Sequence, residues 1–163
     1  MLLITLAAIV AMDAPQNAAI NAVYDRLVVA KNSRDPAAIV AEFDPRSIVV
    51  DPRPLPAASG ASIAEPLQRM MARLTANGVK VETRYRVEKR EMFGDYAVDS
   101  GYMQMRFVAK PGAGKPDDMV TRFLTTLQRE PDGSYRIVGD ASFLAAPGDW
   151  EKLRPVSGLH FDN

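Results

Sequence analysis

The sequence predicts a single-domain α+β fold, with helices in the first half and an antiparallel sheet in the second. The chain has 163 residues, about the length of one domain and too short for a second hydrophobic core. Apolar residues recur every three or four positions before Gly78, as on one face of a helix, and every second position after it, as on a strand. Tight turns between the later segments favour antiparallel pairing.

Two helices are predicted in the first part of the chain. The range 14–32 has apolar side chains at helical spacing, so one face can pack on a core. Asp35 and Pro36 predict a second helix over 37–43, because aspartate caps a helix N-terminus and proline fits the first helical position. Asp44 and Pro45 are expected to end that helix.

A short strand and a third helix follow. The β-branched run 47–51 predicts the strand, and the prolines within 52–56 predict a stiff, extended loop. Ser62 and Glu65 stand three residues apart and predict a capping box at the start of the third helix. The Asn-Gly pair at 77–78 is expected to end that helix.

Four strands are predicted after this point. Their ranges are 81–90, 96–109, 119–130 and 134–143. One face of the first strand alternates apolar residues, and the other carries charges of both signs, which predicts a solvated face: Glu82, Arg84, Arg86, Glu88 and Arg90. Residues 110–118 hold two prolines and two glycines and predict a loop, while 144–163 show no clear period.

The composition excludes several kinds of chemistry. Lys and Arg total 20 against 20 Asp and Glu, so the chain lacks the cationic excess that nucleic acid binding requires. There is no cysteine, which excludes disulfides and Cys-ligated zinc, and the single histidine, His160, excludes sites needing two imidazoles. We expect His160 to be exposed to solvent. The segment 112–115 resembles a phosphate-binding loop, but Pro116 stands where serine or threonine is required. No metal or cofactor is expected, and carboxylates and hydroxyls remain as the reactive groups.

The first twelve residues form an uncharged apolar run. It is too short to span a membrane and has the length of the apolar core of a secretory signal. The chain is therefore expected to be exported, with 1–13 as a signal remnant. The alternative is an apolar extension of a cytoplasmic protein that packs on its own or a partner subunit. The expected division is 1–13, a domain over 14–144 and a tail over 145–163 that closes a pocket or contacts a neighbouring subunit.

Four segments, in this order, carry a family resemblance. They are 34–52 (RDPAAIVAEFDPRSIVVDP), the Ser-Gly pair at 59–60, 94–104 (GDYAVDSGYMQ) and 127–140 (LQREPDGSYRIVGD). The chain resembles the NTF2-like superfamily, in particular its SnoaL-like and DUF4440-type members and the bacterial ketosteroid isomerases. This resemblance implies a cone in which three N-terminal helices pack in a strongly curved, mainly antiparallel sheet. It also implies a mostly apolar pocket for a small hydrophobic molecule, and a homodimer formed through the outer sheet face.

The resemblance to ketosteroid isomerases implies one candidate catalytic residue. Asp51 and Pro52 match the Asp-Pro of the family's general base, and partial burial at the end of a strand is expected to raise the pKa of Asp51. The alternative is a strand-ending aspartate that hydrogen-bonds the following turn. The family's oxyanion tyrosine falls on Leu27, with Tyr24 one helical turn earlier, and its oxyanion aspartate falls on Thr125. Steroid isomerisation is therefore not expected.

The alternation of two strands predicts the pocket lining. Thr121, Phe123, Thr125 and Leu127 share one face, and Met103, Met105 and Phe107 share one face of the neighbouring strand. If these faces are concave, they form a methionine-rich apolar pocket; the alternative is that the side chains fill a core and leave no cavity. Arg106 and Arg122 fall on the opposite faces, and a register slip of one residue would turn both inward.

Three functions remain open at this stage. The first is a small-molecule-binding protein whose ligand contacts Tyr24, Leu27 and the pocket-lining residues Met103, Met105, Phe107, Phe123, Thr125 and Leu127. The second is an enzyme that uses Asp51 as general base on a small hydrophobic carbonyl compound. The third is a non-catalytic dimeric interaction module.

Overall fold

The computed structural model describes residues 14–53, 55–109, 116–146, 148–153 and 158–162. The signal segment expected at 1–13 and the glycine-rich segment 112–115 lie outside these residues.

The helices follow the predicted order, and one short helix is added near the C-terminus. They are α1 (Ala14–Ser33), α2 (Pro36–Ala41), a 3-10 turn (Gly60–Ile63), α3 (Ala64–Ala76) and α4 (Asp149–Lys152). The predicted cap of α2 is confirmed, because the Asp35 carboxylate accepts a hydrogen bond from the Ala38 N–H at 3.0 Å.

Seven strands form one strongly curved sheet. They are β1 (Phe43–Val50), β2 (Ala58–Ser59), β3 (Lys80–Phe93), β4 (Tyr96–Val108), β5 (Asp117–Arg129), β6 (Tyr135–Leu144) and β7 (His160–Asp162). Their order is β2-β1-β6-β5-β4-β3-β7, and every neighbouring pair is antiparallel except β1 and β6. The predicted α+β class, with helices packed in a mainly antiparallel sheet, is confirmed.

Two of the predicted element boundaries are wrong. Asp44 and Pro45 do not end α2, because β1 already begins at Phe43. The capping box uses Ser59 and Ser62: the Ser59 hydroxyl accepts from the Ser62 N–H at 3.2 Å, and the Ser62 hydroxyl accepts from the Ser59 N–H at 2.8 Å. Glu65 instead pairs with Arg69 one turn further along α3.

The hydrophobic core lies between α1 and the concave face of the sheet. Ile20, Val23 and Leu27 of α1 are buried against the inward residues of β3, β4, β5 and β6. Side chains on this face are therefore shielded from water, and any polar group among them needs a partner or a ligand.

The tail adds an edge strand that the sequence pattern does not predict. In β7, His160 stands opposite Arg86 of β3 and is half-buried, so the expectation of a solvent-exposed histidine is wrong. Trp150 is buried under Arg86, whose guanidinium carbon lies 4.2 Å from the indole centroid and whose Nη1 donates to the Trp150 carbonyl at 2.9 Å.

Candidate functional site

A row of polar side chains crosses the concave face of the sheet. Arg90 of β3 stands opposite Asp99 of β4, Asp99 opposite Thr125 of β5, and Thr125 opposite Asp140 of β6. Residues that stand directly opposite each other in neighbouring strands point to the same face. The four side chains therefore lie side by side in the interior.

The first pair in this row is a buried salt bridge. The side chains of Arg90 and Asp99 are both 0% exposed, and two parallel hydrogen bonds of 2.8 Å join them. Arg90 also donates from Nη1 to the side-chain oxygens of Asn17 at 3.0 Å and Asn21 at 2.9 Å on α1. The prediction that Arg90 belongs to the solvated face is wrong, because a bulge after Val87 shifts the alternation of β3 by one residue.

The second pair joins a hydroxyl to a carboxyl group. Thr125 Oγ1 donates to Asp140 Oδ1 at 2.6 Å. Burial raises the pKa of Asp140, while the Thr125 hydrogen bond and the charge of Lys31 oppose that rise. A carboxyl group whose pKa is displaced toward neutrality is suited to accept and return a proton, so Asp140 has the character of a general acid or base.

An aromatic cluster adjoins the polar row. Tyr24 stacks on Phe161 of β7 with centroids 4.9 Å apart, and meets Tyr85 edge to face at 5.3 Å and Phe123 at 6.0 Å. Burial raises the pKa of Tyr24 well above its ordinary value, and the nearby Asp99 carboxylate raises it further. Asp99 is close to the Tyr24 hydroxyl but does not meet it in hydrogen-bonding geometry.

Lys31 brings a positive charge to the same interior. It follows Tyr24 by seven residues, two turns along α1, so both side chains project from one face of the helix. The Lys31 ammonium lies 3.2 Å from the Met103 sulfur and 5.3 Å from the centroid of the Tyr85 ring.

Five buried hydroxyls lack a hydrogen-bond partner among the described residues. Three of them, those of Tyr24, Thr83 and Thr121, belong to the aromatic cluster or to residues two positions from it in β3 and β5. A buried hydroxyl that forms no hydrogen bond costs roughly 1–3 kcal/mol relative to one that water solvates. These hydroxyls therefore have hydrogen-bonding capacity that the described residues do not use.

The structure places the predicted lining residues on the concave face. Met103, Met105, Phe123 and Leu127 are buried there, and Phe107 is half-buried. Tyr24, Leu27 and Thr125 are also buried in this interior, and their contact with a ligand stays a prediction.

The two arginines of these strands point outward. Arg106 pairs with Asp118 at 2.9 Å, and the Arg122 guanidinium lies 5.9 Å from the ring of Tyr102. The strands therefore have the register that the alternation predicts, without the one-residue slip.

Asp51 stands at the predicted position, directly after β1, but its environment differs from the prediction. Its carboxylate accepts from Arg53 Nε at 2.6 Å, from Nη2 at 2.7 Å and from the Arg53 N–H at 2.9 Å. These bonds lower the pKa of Asp51, so the expectation of a raised pKa is wrong. Its role as general base stays a prediction.

Sequence reasoning missed Asp140, Asp99, Arg90 and Lys31. Asp140, like Arg90, is turned inward by a bulge, since the register of β5 and β6 shifts by one residue between Thr126 and Leu127. Gly139 precedes Asp140, and a glycine inside a strand is a recognised indication of a bulge. That indication could have located Asp140.

The outer face of the sheet carries exposed apolar residues. Ile48, Leu124 and Phe143 are 64%, 49% and 57% exposed. A shallow depression of about 270 Å³ lies beside the last two and is also lined by Ser100, Arg122 and Phe123.

The described residues contain no group of three or more His, Asp or Glu side chains arranged to hold a metal ion. In the same part of the chain, no helix has the combined length and apolar character that a membrane crossing requires.

Helices enclosed by a strongly curved, mainly antiparallel sheet define the NTF2-like fold, also described as cystatin-like, and this chain has that fold. One similar structure is an NTF2-like protein with a cystatin-like fold from Novosphingobium aromaticivorans, with 17% identity and a TM-score of 0.64 over 85% of this chain and 89% of that one. A ketosteroid isomerase-like protein from Erwinia carotovora atroseptica has 18% identity and a TM-score of 0.62 over 83% and 100%. ActVI-ORFA from Streptomyces coelicolor has 18% identity and a TM-score of 0.67 over 78% and 95%. Among protein-family models and curated protein sequences, none matches this chain.

Proposed function

We propose that this protein binds a small, largely apolar molecule between α1 and the concave face of the sheet. The observation that carries the proposal is the group of buried hydroxyls without partners, at Tyr24, Thr83 and Thr121. A ligand whose oxygen atoms accept their hydrogen bonds would remove the cost of burying them.

The character of the ligand follows from the side chains around these hydroxyls. Met103, Met105 and Phe123 offer apolar contact, and methionine adapts its shape to an irregular ligand. Thr125 and Asp140 form one polar point in this surface. A mostly apolar surface with few polar groups is typical of small-molecule sites, in which the polar groups orient the ligand.

Methyl NMR with 2-acetonaphthone, an apolar ketone, tests the proposal. Among the methyl signals of the 8 methionines, those of Met103 and Met105 should shift on addition of the ketone. Thr121→Leu fills the interior and should abolish these shifts, whereas Thr126→Leu, at an outward position of the same strand, should retain them. Absence of shifts at both methionines, or shifts unaffected by Thr121→Leu, would contradict the proposal.

A second candidate function is proton transfer next to a carbonyl group. It is favoured by Asp140, whose carboxyl group has a raised pKa and faces the interior. Asp51 is the rival base, on the family resemblance. Exchange of the acetyl protons of 2-acetonaphthone in D₂O, followed by proton NMR, separates the two. Asp140→Asn should abolish catalysed exchange and Asp51→Asn should leave it unchanged; the reverse pattern assigns the role to Asp51, and no exchange above the uncatalysed rate rejects catalysis of this step.

We also propose that a second copy of this chain covers the outer face of the sheet. On this face Ile48 of β1 stands opposite Gly139 of β6, and Leu124 of β5 stands opposite Ala141 of β6. Because Gly139 and Ala141 are small and Ile48 and Leu124 are exposed, the centre of the face is apolar and open to close approach. A surface of this kind can pair with itself about a twofold axis. Light scattering should give twice the chain mass.

The matched variants place a charge on or off this face. Leu124→Glu should give the mass of a monomer, and Phe93→Glu, at the β3–β4 turn, should leave the dimer intact. A monomeric parent protein, or a Leu124→Glu variant that stays dimeric, would contradict the dimer proposal. A dimer that fails the methionine shift test would instead favour the interaction-module alternative.

A further inference from the structure

The interior contains a cation without an ion-pair partner among the described residues. Lys31 contacts the Met103 thioether and the face of the Tyr85 ring, and no described carboxylate lies within 4.0 Å of its ammonium. Arg90, the other cation of this interior, is bound by a carboxylate and two amide oxygens. The two cations therefore differ, because only Arg90 has a carboxylate partner among the described residues.

The partners of Lys31 are weak ones for an ammonium group. A thioether sulfur is a poor acceptor, and Tyr85 offers its ring face and a neutral hydroxyl, which lies near enough for Lys31 to oppose the rise that burial causes in its pKa. None of these partners carries the negative charge that an ammonium with three N–H donors attracts. Asp140 is near enough for Lys31 to lower its pKa, but its Oδ1 accepts from Thr125 rather than from Lys31. The ammonium of this half-buried side chain thus lacks an anionic partner among the described residues.

A second donor without a described partner stands across from Met103, the residue that Lys31 contacts. Met103, which Lys31 contacts, stands opposite Thr121 of β5, and neighbouring strands are about 4.8 Å apart. The Thr121 hydroxyl is buried and has no partner in the described part of the chain. The Lys31 ammonium and the Thr121 hydroxyl therefore both border Met103, in an otherwise apolar part of the concave face.

From these two donors beside Met103 we infer that the ligand is an apolar carboxylic acid, bound as its carboxylate with Lys31 as counter-ion and Thr121 as second donor. The inference rests on the proposed function and names its ligand class. A carboxylate suits the two donors because it accepts several hydrogen bonds and carries the charge that Lys31 lacks in the fold. A neutral ligand would leave the ammonium without an anion.

Calorimetric titration with 2-naphthoate and 2-acetonaphthone tests the inference. The two molecules have nearly the same shape, and a carboxylate in one replaces the acetyl group of the other. The parent protein should bind 2-naphthoate about tenfold or more tightly than 2-acetonaphthone, the ratio expected for one charge-assisted hydrogen bond.

Variants of Lys31 assign this preference to its charge. Lys31→Met retains an unbranched apolar side chain and should weaken 2-naphthoate binding about tenfold or more, with 2-acetonaphthone changed less than twofold. Lys31→Arg should largely retain the preference. Lys89→Met removes an exposed lysine paired with Glu91 and should change neither affinity.

The possible failures are distinguishable. Equal affinity of the parent protein for both probes, or equal weakening of both by Lys31→Met, overturns the inference and leaves the binding proposal intact. Binding of neither probe overturns the binding proposal and the inference together. The comparison of probes on the parent protein decides even if Lys31→Met fails to fold.

Discussion

The buried Arg90–Asp99 pair provides the most quantitative prediction for stability. Arg90→Met removes the guanidinium and leaves the Asp99 carboxylate charged and 0% exposed, without its two hydrogen bonds of 2.8 Å. Breaking a buried ion pair by removing one partner typically costs about 3–5 kcal/mol, because the remaining charge is neither solvated nor compensated. We expect the free energy of unfolding to fall by about this amount.

Urea denaturation, followed by circular dichroism, measures this loss. Thermal denaturation provides a second measurement. For a domain of this length each kcal/mol corresponds to about 2–4 °C in Tm, so the Tm of Arg90→Met should fall by about 6–20 °C. Arg69→Met is the matched control, because the Arg69–Glu65 pair is exposed and should contribute less than about 1 kcal/mol.

The double variant Arg90→Met/Asp99→Leu separates the charge effect from lost packing. Because it removes both charges, it should be more stable than Arg90→Met alone. If Arg90→Met costs no more than Arg69→Met, or the double variant is less stable than Arg90→Met, then the buried charge does not determine the loss and the reasoning is refuted.

Three further predictions concern the interior and the sheet. Because burial raises the pKa of Asp140 in the folded state above its ordinary value of 3.8, the native chain holds this proton more tightly than the unfolded chain. This contribution to stability is present at low pH and is lost as pH rises through the folded pKa. Asp140→Asn should therefore gain in stability relative to the parent as pH rises above 3.8 in urea titrations, and a relative loss would contradict the assigned direction. Phe161→Ala removes the ring stacked on Tyr24 and should cost about 3–5 kcal/mol by denaturation, and a loss below about 1 kcal/mol would show that β7 does not hold the cluster. Gly101→Ala would place a Cβ closer to the Arg86 carbonyl oxygen than two such atoms can approach, so the Tm of the variant should fall; an unchanged Tm would contradict the close approach of β3 and β4.

The inward residues of β4 and β5 were predictable because strand alternation has a fixed period of two. Met103, Met105, Phe123 and Leu127 lie on the concave face because one apolar face of each strand must pack on the core. The Asp35 cap was predictable for a similar reason, since its side chain acts on its own backbone neighbours. Local rules suffice where the structure depends on nearby residues.

Two members of the polar row, Arg90 and Asp140, were not predicted because bulges interrupt this alternation. Without the bulge after Val87, Arg90 would share the solvated face of β3, and a strictly alternating β6 would turn Asp140 outward together with Arg136. A bulge depends on the register between two strands, which is a tertiary property. The inward positions of Arg90 and Asp140 therefore follow from strand pairing, and the sequence pattern alone assigns Arg90 to the wrong face.

Asp51 shows a different limit of sequence reasoning. Its position after β1 was predicted, but Arg53, two residues later, binds its carboxylate and lowers the pKa that burial was expected to raise. A side chain two positions away can orient toward Asp51 or toward solvent, and the sequence does not determine which.

A crystal structure of the protein with 2-naphthoate tests the central claim most directly, because it locates the ligand. The account predicts ligand density between α1 and the concave face, with the carboxylate next to Lys31 and Thr121 and the rings against Met103 and Phe123. Density confined to the outer face beside Leu124 and Phe143, or an interior that stays closed around its own side chains while the ligand binds elsewhere, would contradict the account.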